Sequence, residues 1–98
     1  MTYRTEFPDF DPATMPAIPA EWRDASWHND TCPSFMIGQE DRPTLQIFVD
    51  YLKPEDREFR DRPRFSILGE RAIDADGGSL ASDDWSEILA FVKAALNP

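Results

Sequence analysis

Thirteen residues, 22–34, hold most of the chain's reactive chemistry. They contain two of the three tryptophans, Trp22 and Trp27, together with the single histidine His28 and the single cysteine Cys32. Asp24, Asp30, Asn29 and three hydroxyls complete the set. Were residues 28–32 extended, His28, Asp30 and Cys32 would point to one side, since strand side chains repeat every two residues. A base, a carboxylate and a thiol would then stand together. An imidazole can turn a thiol into a thiolate nucleophile, and a carboxylate can fix the imidazole tautomer. The arrangement is a weak one for catalysis. Positions two apart on a strand lie about 6–7 Å apart at the backbone, and catalytic pairs ordinarily come from separate elements.

A second reading gives the same segment to binding. Exposed tryptophans supply binding hot spots, so Trp22, Trp27, His28, Asn29 and Asp30 form a candidate contact surface within the stretch from Trp22 through Phe35. The third and plainest reading has Trp22 and Trp27 as core or rim aromatics. His28, Asn29 and Asp30 would then satisfy loop backbone groups, as Asp and Asn side chains do routinely.

Metal chemistry fits the sequence poorly. One Cys and one His leave at least two zinc ligands to be found among carboxylates, and no C-x-x-C or H-x-x-x-H spacing occurs. Residues 74–85 begin like a calcium loop, with Asp74 and Asp76 at its first and third positions. Position six is Ser79 rather than glycine and position twelve is Trp85 rather than glutamate. No metal and no cofactor is expected.

The charge is unevenly spread. Nineteen acids against ten bases give −9 overall. Residues 1–41 carry eight acids and two arginines (−6), residues 42–71 six acids and seven bases (+1), and residues 72–98 five acids and one lysine (−4). Such a balance argues against direct binding to a nucleic-acid backbone, which needs a basic stripe. Arg57, Arg60, Arg62 and Arg64 form the basic concentration of the chain, and the last three alternate and could receive an anion along one side. With Glu58 and Asp61 interleaved, a salt-bridged surface is the preferred expectation. A sharper alternative sets this basic middle against the acidic end of a second copy.

These residues need elements to position them, and 98 residues suffice for one domain. Residues 44–52 alternate as a strand, with Leu45, Ile47, Val49 and Tyr51 on one face and Gln46, Phe48, Asp50 and Leu52 on the other. Residues 64–70 predict a second strand, and the shorter 34–38 a third. The connection 53–63 is long for a hairpin, and a helical turn at 54–58 would shorten it. Helical spacing of Trp85, Ile88, Leu89, Val92, Ala95 and Leu96 predicts a C-terminal helix. Ser82 is one capping residue for it, and Asp84 with Glu87 a second capping register. Four prolines among the first twenty residues (Pro8, Pro12, Pro16, Pro19) predict an extended or irregular arm. Its Tyr3, Phe7, Phe10, Met15 and Ile18 would hold it on the domain. The expected fold is therefore α+β: a small antiparallel meander of three or four strands, a C-terminal helix packed on one sheet face, an arm over residues 1–20 and a core over 21–98.

No stretch of 18 apolar residues occurs, and the first eleven residues lack the apolar core of a signal peptide. A cytoplasmic location without membrane contact is expected. Two functions follow. The preferred one is a small acidic interaction module that binds another protein, or a second copy of itself, through segment 22–35; carboxylates standing in for nucleic-acid phosphates would be a minor form of it. The alternative is a small-molecule enzyme or sensor using His28, Asp30 and Cys32. The two separate on the thiol, since catalysis needs its pKa depressed and a buried neutral thiol is inert.

Overall fold

The computed structural model describes residues 2–38, 43–69 and 80–96. Five strands pair antiparallel in chain order: β1 (Arg23–Asp24), β2 (Ser34–Gly38), β3 (Pro43–Val49), β4 (Phe65–Leu68) and β5 (Leu80–Ser82). The α+β meander expected from the alternation is present, with one strand more than its upper count. Both added strands are short edge pieces. β1 is held by pairing of Arg23 with Met36 and Asp24 with Phe35, and β5 by pairing of Ile67 with Leu80. β3 stops at Val49 rather than running to residue 52. The register shifts between Ile37 and Gly38, where Gly38 has φ 110°, a conformation that a side chain at this bulge would disfavour.

Alternation sorts the two faces. Phe35, Ile47 and Ile67 pair across three strands and share the inner face with Leu45, Val49 and Phe65. The C-terminal helix (Trp85–Leu96) lays Ile88 and Val92 into this same core. Leu45, Ile47, Val49, Ile67 and Ile88 are almost wholly buried, and truncating any one of the larger aliphatics to alanine costs about 2–5 kcal/mol. The helix starts in the Asp84 register. The Asp84 carboxylate accepts from the Ser86 N–H at 3.0 Å and from its hydroxyl at 2.6 Å, and these bonds hold its pKa below the usual carboxylate value. Ser82 instead ends β5, accepting from the Asp84 N–H and donating to Glu87.

The arm does more than cover the core. Phe7 and Phe10 are buried members of it. A one-turn helix, α1 (Tyr3–Glu6), and a 3-10 turn at Pro12–Thr14 interrupt its extended path; the turn has proline in its first position and is capped by Asp11. With α1 so numbered, the C-terminal helix is α2. Side chains tie the arm down along its length: Tyr51 Oη donates to Asp9 at 2.8 Å, Arg64 Nη2 to the Thr14 carbonyl at 2.8 Å, and Trp85 Nε1 to the Ala17 carbonyl at 3.2 Å.

Residues 70–79, which contain the expected end of the second strand and half of the calcium-like stretch, lie outside the described residues. Among the described residues, no helix is long and apolar enough to cross a membrane.

Candidate functional site

The segment singled out by its chemistry forms a loop between β1 and β2, and its base is locked from beneath. Ser26, itself buried, accepts from the Ser34 N–H at 3.2 Å through its hydroxyl. The Ala25 N–H donates to the Ser34 carbonyl at 2.9 Å. Ser34 returns its hydroxyl to the Ala25 carbonyl and accepts from the Gln46 amide. The Asp24 carboxylate adds a fork, with one oxygen accepting from the Ser26 N–H at 3.0 Å and the other from the Tyr3 N–H at 2.8 Å. These bonds satisfy the buried loop backbone.

Above this base the chain turns rather than extends. The Asp30 N–H donates to the Trp27 carbonyl at 2.9 Å, so the strand-like geometry that would align His28, Asp30 and Cys32 is not adopted. The His28 ring faces Glu6 of α1, with Nδ1 3.0 Å from Oε1, and the His28 backbone N–H donates to the same oxygen at 3.3 Å. The His28 contact and its charge pull the Glu6 carboxyl below the usual value. Asp30 lies close enough to Cys32 for its charge to act on the thiol. No hydrogen bond links His28 to either residue among the described residues.

Cys32 is only 3% exposed. Burial, with the Asp50 and Asp30 carboxylates nearby, pushes its thiol up to about 12 despite the Thr31 hydroxyl, which donates to Sγ at 3.9 Å. That direction is opposite to what a nucleophile needs.

The two tryptophans differ. Trp22 is 8% exposed and meets Trp85 edge-on, with ring centroids 5.7 Å apart. Trp27 is 43% exposed and lies beside the His28 ring, centroids 4.2 Å apart. Asn29 and Asp30 are exposed as well. Neither their side chains nor the Trp27 indole N–H takes a hydrogen-bond partner among the described residues. The backbone-locking duty that sequence reasoning assigned to His28, Asn29 and Asp30 falls instead on Asp24, Ser26 and Ser34.

The arginines also depart from expectation. In place of a salt-bridged surface, Arg57 and Arg64 donate to backbone carbonyls, and Arg62 stands over the Phe59 ring at 5.7 Å. Among the described residues the one contact of ion-pair geometry is that of His28 with Glu6, which is charged on both sides only when the imidazole is protonated. No group of three or more His, Cys, Asp or Glu side chains comes together there as metal ligands would. Comparison of the chain with family models, curated proteins and solved structures gives no match.

Proposed function

We propose that this chain is a small acidic protein-interaction module whose contact surface is the 27–30 turn of segment 22–35. One observation carries the reading: the turn is pinned by its neighbours, while the Asn29 and Asp30 side chains and the Trp27 indole N–H stand exposed without a hydrogen-bond partner among the described residues. A rigid, half-exposed indole flanked by unused polar groups has the composition of a binding hot spot, because it orders little on binding and offers apolar area together with hydrogen bonds. His28 supports the surface by packing tilted against the Trp27 ring and anchoring to Glu6. The partner is another protein, or a second copy of this chain. A net charge of −9 disfavours direct contact with nucleic acid. The single, buried free thiol suits a reducing compartment such as the cytoplasm.

The alternative, an enzyme or sensor built on His28, Asp30 and Cys32, needs a thiolate within reach of the imidazole. Burial holds the thiol protonated, and His28 commits Nδ1 to Glu6, so the binding reading is preferred. Differential capture tests it. Wild-type and Trp27→Ala proteins serve as paired baits, with Glu21→Ala as an exposed-residue control, and bound proteins are quantified. The reading expects at least one protein enriched by wild type and Glu21→Ala and lost with Trp27→Ala. Equal capture by all three baits contradicts it.

A further inference from the structure

A second surface lies on the outer face of the sheet, opposite α2. Phe48, Ser66 and Ala81 share this face by register. Together with Leu68 they floor a cleft of 480 Å³ whose wall is Phe59, Arg62 and Pro63 from the chain between β3 and β4. Phe59 is 55% and Leu68 52% exposed, so two of the four large apolar side chains left open to solvent among the described residues converge on one cleft.

The wall is preformed although it is mostly irregular chain. The Arg57 guanidinium donates to the carbonyls of Tyr51 at 2.7 Å, Leu52 at 3.0 Å and Arg62 at 3.1 Å. Arg64 Nε adds a bond to the Asp50 carbonyl at 3.0 Å. An ordered connection of this length, held by its own side chains, is the kind that carries binding sites.

Two acids, Asp50 and Glu58, and two arginines, Arg62 and Arg64, line the cleft. In a chain of nineteen acids, Arg62 meets no carboxylate among the described residues. The Asp50 carboxylate accepts from the Tyr51 N–H at 2.8 Å and feels the charges of Arg57 and Arg64, and Arg64 donates to carbonyls, which leaves Arg62 and Glu58 as the lining charges without a hydrogen bond among the described residues.

We propose that this cleft docks a segment of a partner protein that presents an apolar side chain beside a carboxylate. Phe48, Phe59 and Leu68 receive the side chain, and Arg62, already fixed over Phe59, receives the carboxylate. An open sheet face cannot enclose a small molecule as a deep pocket does, whereas a peptide supplies its own cover. A second copy is the poorer occupant, because it brings a further −9 of like charge. The inference stands apart from the Trp27 reading, since it uses none of the same side chains.

The test is an amide-resolved NMR titration of the full chain with an end-blocked hexapeptide of alternating leucine and glutamate. The matched leucine–lysine and serine–glutamate hexapeptides serve as controls. Shifts are expected at Phe48, Phe59, Arg62 and Leu68 with the leucine–glutamate peptide alone. Arg62→Glu should transfer the preference to the leucine–lysine peptide, and Leu68→Ser should weaken binding at least about fivefold. The Arg62 guanidinium makes no hydrogen bond among the described residues and Leu68 is half-exposed, so both variants retain the fold, as their spectral dispersion would verify. Absence of shifts at millimolar peptide, equal response to both charged peptides, or an unaltered preference in Arg62→Glu overturns the proposal. Concentration-dependent broadening without peptide would overturn it too, by giving the face to a second copy.

Discussion

Glu6 and His28, 22 positions apart, are joined twice: one Glu6 carboxylate oxygen lies 3.0 Å from Nδ1 of the ring and accepts from the backbone N–H of the same residue. The amino-terminal arm is thereby fastened to the turn that carries Trp27. The contact depresses the Glu6 pKa, with the His28 hydrogen bond as the leading cause. A carboxylate whose folded value is depressed stabilises the fold above its unfolded value and loses that contribution as pH falls through the folded one. The melting-temperature difference between wild type and Glu6→Gln should therefore be present near neutral pH and shrink below about pH 4. A difference that stays constant with pH would rule the ion pair out as a clamp.

The Cys32 thiol carries the opposite sign. Its pKa is raised to about 12, chiefly by burial, so the fold favours the protonated thiol. That stabilisation is complete below the unfolded value, 9.0, and is lost as pH rises toward the folded one. Native protein should resist alkylation by iodoacetamide at pH values where free cysteine reacts readily, and denaturant melts should show stability falling above about pH 9 in wild type and less steeply in Cys32→Ala. Rapid alkylation of the native protein at neutral pH would restore the catalytic reading.

Arg57 holds the connection from β3 to β4 through three carbonyls, which a lysine cannot reach at once because its ammonium lacks the planar fork. Arg57→Ala should cost about 2 kcal/mol in urea unfolding, and Arg57→Lys should recover little of it. Hydrogen exchange would show the Arg62 amide, which donates to the Phe59 carbonyl, losing protection ahead of the sheet. Full recovery by lysine would mean that charge, and not the fork, orders the wall.

The sequence made the long periodic elements legible. Alternation over 44–52 and 34–38, and the 3.6-residue spacing from Trp85 onward, are properties of one segment at a time, and a buried face writes them directly into residue type. β1 and β5 have two and three residues, too few for any period, and exist because longer neighbours offer them backbone partners. The site followed the same rule. The concentration of chemistry around Trp27 and His28 was visible, but the groups that fix it, Glu6 and Asp24, come from the arm and from β1 and are placed by tertiary contact. His28, Asp30 and Cys32 would align only on an extended chain, which the bond from Asp30 to Trp27 replaces with a turn. Counting charges likewise paired the arginines with nearby acids, whereas unsatisfied loop carbonyls took Arg57 and Arg64.

The most direct test of the contact surface is the affinity of the captured partner, purified, for wild type and for Trp27→Ala, measured by calorimetry alongside the melting temperature of each. Removal of a half-exposed hot-spot indole should weaken binding by about 30-fold or more while shifting the melting temperature by no more than about 2 °C. Undiminished affinity in Trp27→Ala, or a loss of affinity matched by a comparable loss of stability, would contradict the account.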